Sequence, residues 1–256
     1  MSSSPAGRAI SFQEFCMKFS FLLTKLLDIL LPPVCGACNC PVSKPATLCA
    51  ECFSKIHFIT EPRCQICGRP FEFDIKGECI CAKCLMKRPL FLKARAAVQY
   101  DEISKNIILP FKHANRLDLL PLIVKLMRPA ADTLMPETDV IIPVPLHWFR
   151  FLKRKYNQSN ELAYRLAKIY HKTYLPSTLK RKRATPSQGH LTPAERKRNV
   201  TNAFKITKPN QVKGKRILLI DDVLTTGATA NECTKILLNA GATQVCLLTF
   251  ACTTKK

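Results

Sequence analysis

The chain has 256 residues, 47% of them apolar, enough for a real core in one large domain or in one medium domain with an accessory module. Fourteen cysteines are many, but eleven fall between Cys16 and Cys84, which excludes a chain-wide disulfide scaffold in favour of a local module. The formal charge of +22 points either to a polyanionic partner (nucleic acid, an anionic membrane surface or a pyrophosphate-bearing ligand) or to a merely soluble basic surface.

The first ten residues hold no continuous apolar core with a small-residue cleavage site, so no signal peptide is expected and the chain reads as cytoplasmic. Thiols then stay reduced, and CxxC pairs read as metal ligands rather than bridges. From Phe12 the apolar residues Phe15, Phe19, Leu22, Leu23, Leu26, Ile29 and Leu30 predict one face of an amphipathic helix, ended by Pro32-Pro33. Lys18, Lys25 and Asp28 interrupt it too often for a bilayer span. Packing against the protein and lying on a membrane surface are both compatible with the pattern.

Four CxxC pairs follow: Cys35/Cys38, Cys49/Cys52, Cys64/Cys67 and Cys81/Cys84. Each knuckle presents two thiolates, and two knuckles complete the tetrahedral shell of one Zn²⁺. About two structural zinc ions are expected, which would still leave a charge of about +18. The simplest pairing is sequential, first with second and third with fourth; an interleaved pairing fits the spacing as well. Cys40 and Cys79 lie close enough to compete as ligands. Redox chemistry at one CxxC is the rival to a structural role. Gly36 and Gly68 fall at knuckle turns, where positive φ is useful.

After a linker at Lys87-Arg88-Pro89 the pattern predicts a strand over Ala94–Tyr100, a short helix over Ile103–Leu109 and a further helix over Leu117–Met127. Val140–Ile142 reads as a short buried strand, stopped by Pro143 and Pro145, with a loop at its end suited either to a ligand or to a rigid turn. Between Trp148 and Tyr156 the basic residues Arg150, Lys153, Arg154 and Lys155 interleave with aromatics, as stacking plus phosphate contacts would require, although the aromatics suit a core equally. Ser159–Tyr170 reads as a helix. A long basic region from Lys180 to Phe204 reads as a lid or a solvated loop, and Gln244–Cys252 as a last strand.

The most informative stretch is Arg216–Thr229. An apolar run at Ile217–Ile220 predicts a strand, Asp221 and Asp222 follow, and Thr225, Thr226, Gly227, Ala228 and Thr229 form a small hydroxyl-rich turn. A helical pattern then runs from Ala230 to Ala240, with Gly241 at its stop. The order places backbone N–H groups at a helix N-terminus, a phosphate site, beside carboxylates that accept hydrogen bonds from sugar hydroxyls or hold a metal. A sugar phosphate satisfies both.

This stretch resembles the phosphoribosyl pyrophosphate (PRPP) signature of type I phosphoribosyltransferases. With the four CxxC pairs, Ile142-Pro-Val-Pro-Leu146, Asn157-Gln158 and the segment from Thr185 and Gln188 through Arg196, Asn199 and Val200 to Phe204, the chain after about Leu26 resembles the ComF family. The resemblance implies an α/β chain of type I phosphoribosyltransferase fold, a mostly parallel twisted sheet flanked by helices, with a small N-terminal double zinc ribbon. With the periodicity read above, the sequence divides into residues 1–33, an amphipathic N-terminal helix; 34–88, the ribbons; and 89–256, the phosphoribosyltransferase-type domain. The resemblance implies that Asp221 and Asp222 face the ribose of PRPP, that residues 225–229 cradle its 5′-phosphate, and that the loop after Ile142 lies near the pyrophosphate. Mg²⁺ would accompany PRPP in an active site. Arg154 and Arg196 would serve the pyrophosphate or the basic loop, although Lys155 stands where relatives carry a glycine beside Arg154. Family members are associated with uptake of single-stranded DNA in natural transformation, which implies single-stranded DNA and a DNA-translocating helicase as partners. The alternatives are an active phosphoribosyltransferase in nucleotide or related metabolism, and a PRPP sensor without chemistry.

Overall fold

A computed structural model describes residues 32–73, 77, 79–146, 156–182 and 193–254. The helix expected over Phe12–Leu30, the basic–aromatic stretch 148–155 and the loop 183–192 lie outside the described residues. None of the described helices is long and apolar enough to cross a membrane.

The sheet is built from β1 (Ala94–Gln99), β2 (Val140–Pro143), β3 (Thr173–Tyr174), β6 (Arg216–Leu224) and β7 (Gln244–Cys252). All are parallel, in the order β1-β7-β6-β2-β3. The inner strands bury both faces, which is why they read as continuous apolar runs rather than alternating ones. Leu218 and Ile220 pack against one layer of helices, α3 (Glu102–His113), α4 (Leu120–Asp132) and α5 (Gln158–Ile169). Ile217 and Leu219 pack on the other face, against α7 (Ala228–Asn239) and a two-stranded antiparallel ribbon of β4 (Leu179–Arg181) and β5 (Phe204–Ile206). A short helix α6 (Pro193–Val200) leads into β5.

Chain direction reverses at the centre of the sheet. From β2 the chain crosses through α5 outward to β3; from β6 it crosses through α7 the opposite way, to β7. Open α/β sheets bind ligands at the carboxyl ends of such diverging strands.

α3 is longer than its apolar pattern predicts. It starts at a capping box, Asp101 accepting from the Ser104 N–H at 2.9 Å while the Ser104 hydroxyl accepts from the Asp101 N–H at 2.8 Å. It then runs through Pro110 to bury Phe111 completely. The second predicted helix begins with a 3₁₀ turn at Leu117–Leu119 before α4 proper.

The cysteine segment, with its short helices α1 (Ala50–Lys55) and α2 (Ala82–Met86), is not a separate bead. Its backbone pairs with the free edge of β1. The Ile59 N–H donates to the Ala97 carbonyl at 2.9 Å, Gln99 donates to His57 at 2.8 Å, and Ala94 donates to Ile66 at 2.6 Å. Cys35, Ala37, Cys52 and Ile56 join the apolar cluster on the α3–α4–α5 face, whereas Cys64, Ile66, Cys67 and Cys84 join the one on the α7 face. The two knuckle pairs therefore straddle the sheet edge, one on each side.

Of the two knuckle glycines, only Gly68 has positive φ, +68°. Gly36 is there for room: a Cβ on it would lie 2.3 Å from Leu122 Cδ2. Gly68 needs both, since a Cβ would also lie 2.3 Å from the Ala94 carbonyl oxygen of β1. The substitution Gly68→Ala is expected to destabilise the protein by more than the ~2 kcal/mol that left-handed strain alone costs. Gly214→Ala, at φ +71° with open space around it, is the strain-only control. Equal shifts in urea midpoint for the two variants would contradict the close approach at Ala94.

Candidate functional site

β6 does not stop before its acids. It stays paired with β7 through Asp221↔Thr249 to Leu224↔Cys252, so both aspartates lie within the strand rather than after it. The turn follows, and Gly227, at φ +77°, is the N-cap of α7. α7 begins two residues earlier than its apolar periodicity indicates. Gly227 brings no capping side chain; the Ala228 N–H donates to the Thr226 hydroxyl at 3.4 Å, a long bond that an incoming acceptor can replace. Helix dipole and donors together make this end of α7 a place for an anion.

The two acids have different surroundings. Asp221 Oδ1 accepts from the Ser159 hydroxyl at 3.1 Å and from the Asp222 N–H at 2.9 Å. Burial, and next the charge of Asp222, push its carboxyl from the usual 3.8 up to about 7, against the opposing pull of the Asp222 N–H, Lys112 and Ser159. Asp222 forms an ion pair with Lys112, Nζ to Oδ1 2.9 Å, with each side chain 16% exposed.

Lys112, near the end of α3, is the site residue that sequence patterning missed. The segment Tyr156–Ser159 holds it in place. The Tyr156 hydroxyl donates to the Phe111 carbonyl, and Gln158 Nε2 donates to the Lys112 carbonyl at 3.0 Å. Gln158 is 1% exposed, so its hydrogen bond is made inside the protein. Asn157 caps α5 and donates to the Val144 carbonyl at 3.3 Å, tying in the loop after β2. The Asn157-Gln158 pair, which the sequence offers only as part of a family pattern, thus fixes the end of α3 and the loop after β2, both of which line the cleft.

These parts enclose a cleft of about 400 Å³. Asp221, Asp222 and Thr225–Thr229 line one side; Lys112, Val144, Leu146 and Arg181 line others, and Tyr100, Leu109 and His113 continue the wall. The sequence-predicted residues of the turn, the acids and the start of the loop after β2 are therefore brought together. Arg154 lies outside the described residues, and so does the side chain of Arg196, which sits on α6.

The cysteines form two tetrads, Cys35/Cys38/Cys49/Cys52 and Cys64/Cys67/Cys81/Cys84, the sulfurs of each all within 4.8 Å of one another. This is the sequential pairing. The separations Cys38–Cys49 and Cys67–Cys81 are both 3.7 Å. A tetrahedron with metal–sulfur bonds of about 2.3 Å has edges of about 3.8 Å, so the spacing fits Zn²⁺. Backbone N–H groups also point at the sulfurs: Cys49 to Cys35 at 3.3 Å and Cys81 to Cys64 at 3.4 Å. Against the opposing effect of burial, the N–H groups of Cys38, Cys49 and Ala37 bring the Cys35 thiol down to about 6. The Cys67 thiol, helped by the backbone at Cys81, brings Cys64 down to about 4. Such donors favour the thiolates that a metal binds. Cys40 stands outside the first tetrad, 3.3 Å from Cys38 Sγ, and Cys79 outside the second.

Residues 26–85 match the model of the double zinc ribbon domain, and residues 157–255 that of the phosphoribosyl transferase domain. Competence protein F of Haemophilus influenzae is 32% identical over 206 residues, covering 77% of this chain and 87% of that one. The chain belongs to the ComF family. The DNA utilization protein YhgH of Escherichia coli K12 is 29% identical over 84% of this chain and 95% of its own, and ComFC of Bacillus subtilis 26% identical over 76% and 79%. Among solved structures, glutamine PRPP amidotransferase from B. subtilis has a TM-score of 0.35 at 21% identity, covering 55% of this chain and 30% of that one. Purine phosphoribosyltransferase from Pyrococcus horikoshii has a TM-score of 0.34 at 18% identity, over 53% and 83%. The ComF chain carries a phosphoribosyltransferase-type α/β fold with an N-terminal pair of cysteine tetrads suited to structural zinc.

The buried carboxyl of Asp221 makes stability depend on pH. The native protein keeps a proton that the unfolded chain has released, so this contribution is complete below about pH 4 and is lost as pH rises towards 7. Asp221→Asn should remove that fall. The difference in urea stability between wild type and variant, followed from pH 5 to 8, should grow in the variant's favour. A constant difference would show that Asp221 titrates normally.

Proposed function

We propose that this ComF-family protein binds PRPP at the cleft and acts in the handling of single-stranded DNA during its uptake. One observation carries the first half: a helix N-terminus without an N-cap side chain, opened by Gly227 at positive φ, follows the strand that carries two carboxylates. The turn at Thr225–Thr229 offers donors to a 5′-phosphate, and Asp221 and Asp222 offer acceptors to the ribose hydroxyls. Lys112 and Arg181 supply positive charge on the walls of the same cleft for the pyrophosphate. Mg²⁺, when bound with PRPP, would spread the charge of the pyrophosphate.

The second half rests on the relatives, named for competence and for DNA utilization, and on a charge of +22. Electrostatic attraction to the DNA backbone should weaken steeply with salt. A helicase that moves the incoming strand is the natural protein partner in such a role.

A second reading has its own support. Tyr100, Leu109 and His113 line the same cleft and offer apolar and ring surface to an acceptor beside the sugar. In that reading the protein is an active phosphoribosyltransferase: the anomeric carbon loses pyrophosphate and gains a nucleophile. The residues would then hold the ribose, through the two acids, while charge builds on the departing group.

Calorimetry with PRPP and Mg²⁺ should show binding by the wild type and at least about tenfold weaker binding by Asp222→Ala. A labelled oligonucleotide should bind at low salt and release as salt rises. Absence of PRPP binding removes the first half; absence of oligonucleotide binding at low salt removes the second. Pyrophosphate release with some acceptor, lost in Asp222→Ala, would favour the transferase reading.

We assign one structural Zn²⁺ to each tetrad. Protein purified without chelator should contain about two zinc ions per chain by elemental analysis, and stripping them should unfold the ribbon segment. Metal-free protein that keeps its native circular dichroism would refute a structural role.

A further inference from the structure

The second cysteine knuckle reaches the phosphate turn. Arg69 follows Cys67 and Gly68 in the chain. Its carbonyl accepts from the Cys64 N–H at 2.8 Å, which closes the knuckle, while its guanidinium Nη2 donates to the Thr225 carbonyl at 3.0 Å. One residue thus belongs to a ligand loop of the second tetrad and also holds the first residue of the turn.

The surroundings make this joint stiff. Gly68 abuts the Ala94 carbonyl of β1 with no room for a Cβ. Phe91 is 3% exposed, and a Cβ on Gly227 would lie 3.8 Å from its ring. The Leu90 N–H donates to Asn231 Oδ1 at 2.7 Å, and Asn231 in turn donates its N–H to the Gly227 carbonyl at 2.8 Å. Cys64, Cys67 and Cys84 share an apolar cluster with Leu224 and Ala230, which bracket the turn. The first tetrad packs on the opposite face of the sheet.

A fixed Thr225 carbonyl has a direct consequence for binding. The peptide unit is planar and trans, so the Thr226 N–H points opposite to the Thr225 C=O. Arg69, by holding the carbonyl, orients the N–H that a phosphate in the turn would use.

We propose that Arg69 is a positioning residue for the phosphate turn, and that through it the second tetrad and the turn are energetically coupled. Order in the second tetrad raises affinity at the turn, and by reciprocity an occupied turn protects the second tetrad's metal. The first tetrad is not coupled in this way. The proposal rests on the PRPP reading given above.

The test uses full-length, zinc-loaded protein with PRPP and excess Mg²⁺. Arg69→Gln should keep both zinc ions and the wild-type melting temperature without ligand, yet bind PRPP about tenfold more weakly. Arg69→Lys, which keeps the charge and a longer reach than Gln, should recover part of the loss. In the wild type, PRPP should slow the release of one of the two zinc ions to a zinc-selective chromophoric chelator, and in Arg69→Gln it should not. Wild-type affinity in Arg69→Gln, or zinc release from the wild type that PRPP leaves unchanged, overturns the coupling while the PRPP reading stands. A wild type that does not bind PRPP overturns both. The release experiment needs no variant, so the proposal stays testable even where Arg69→Gln fails to fold.

Discussion

A parallel sheet that ends in an unpaired strand exposes a row of backbone donors and acceptors, and this protein hides that row with its cysteine segment. The hydrogen bonds from Ile59, Gln99 and Ala94 take up the free edge of β1. The rest of the arrangement depends on this docking. Because the segment runs along the edge, its first knuckle pair falls on the α3–α4–α5 face and its second on the α7 face. Buried Arg95 helps to fix the register, donating to the Gln65 carbonyl at 3.0 Å from within β1 itself. A segment of this size has little core of its own. It draws order from the sheet, and in return completes both apolar clusters.

The same docking links sequence-distant chemistry. β1 lies two strands from β2, with β7 and β6 between them, yet its covering segment touches the turn after β6 because β7 alone separates β1 from β6. The short reach from Arg69 to Thr225 follows from that strand order. On the other face, α3 and α5 meet at Phe111–Lys112 and Tyr156–Gln158, which brings Lys112 to Asp222. The cleft is thus assembled from separate stretches of the chain, several of them tied together by part-buried hydrogen bonds.

Much of this was legible in the residues. Gln244–Cys252 is apolar over most of its length and is β7. The four CxxC pairs, as two clusters suited to a metal, and the order of strand, acids, turn and helix were readable from residue type and spacing. What was hidden depended on partners distant in the chain. β6 continues through its acids because β7 keeps pairing with it, and no local pattern records that. α3 runs past Pro110 because burying Phe111 outweighs the helix bond that proline forfeits, a tertiary effect. β4 and β5 are three residues each, too short for a period to show, and exist as a pair across a long connection. Lys112 sat in a helix end with no motif around it; only the fold brings it to Asp222. Gly36 does sit in a turn, but without positive φ, and its smallness makes room for Leu122.

Two adjacent carboxylates are a poor welcome for an anion, and the site answers this in two ways. Lys112 pairs with Asp222 in partial burial, where the surrounding protein weakens screening. Burial and the neighbouring charge raise Asp221 to about 7, so near neutral pH it carries a proton in a substantial share of molecules. The carboxyl keeps its hydrogen bond from Ser159, which holds it in place in either state. Much of the negative charge expected from residue types alone is thereby offset, while the oxygens remain available as acceptors. An anion can then approach the N-terminal end of α7 without first overcoming two bare charges. The feature that lets the acids sit beside the turn is therefore not a property of the acids. It comes from α3 and α5, whose contact at Gln158 and the Lys112 carbonyl fixes the cation, and from the depth at which the sheet places Asp221.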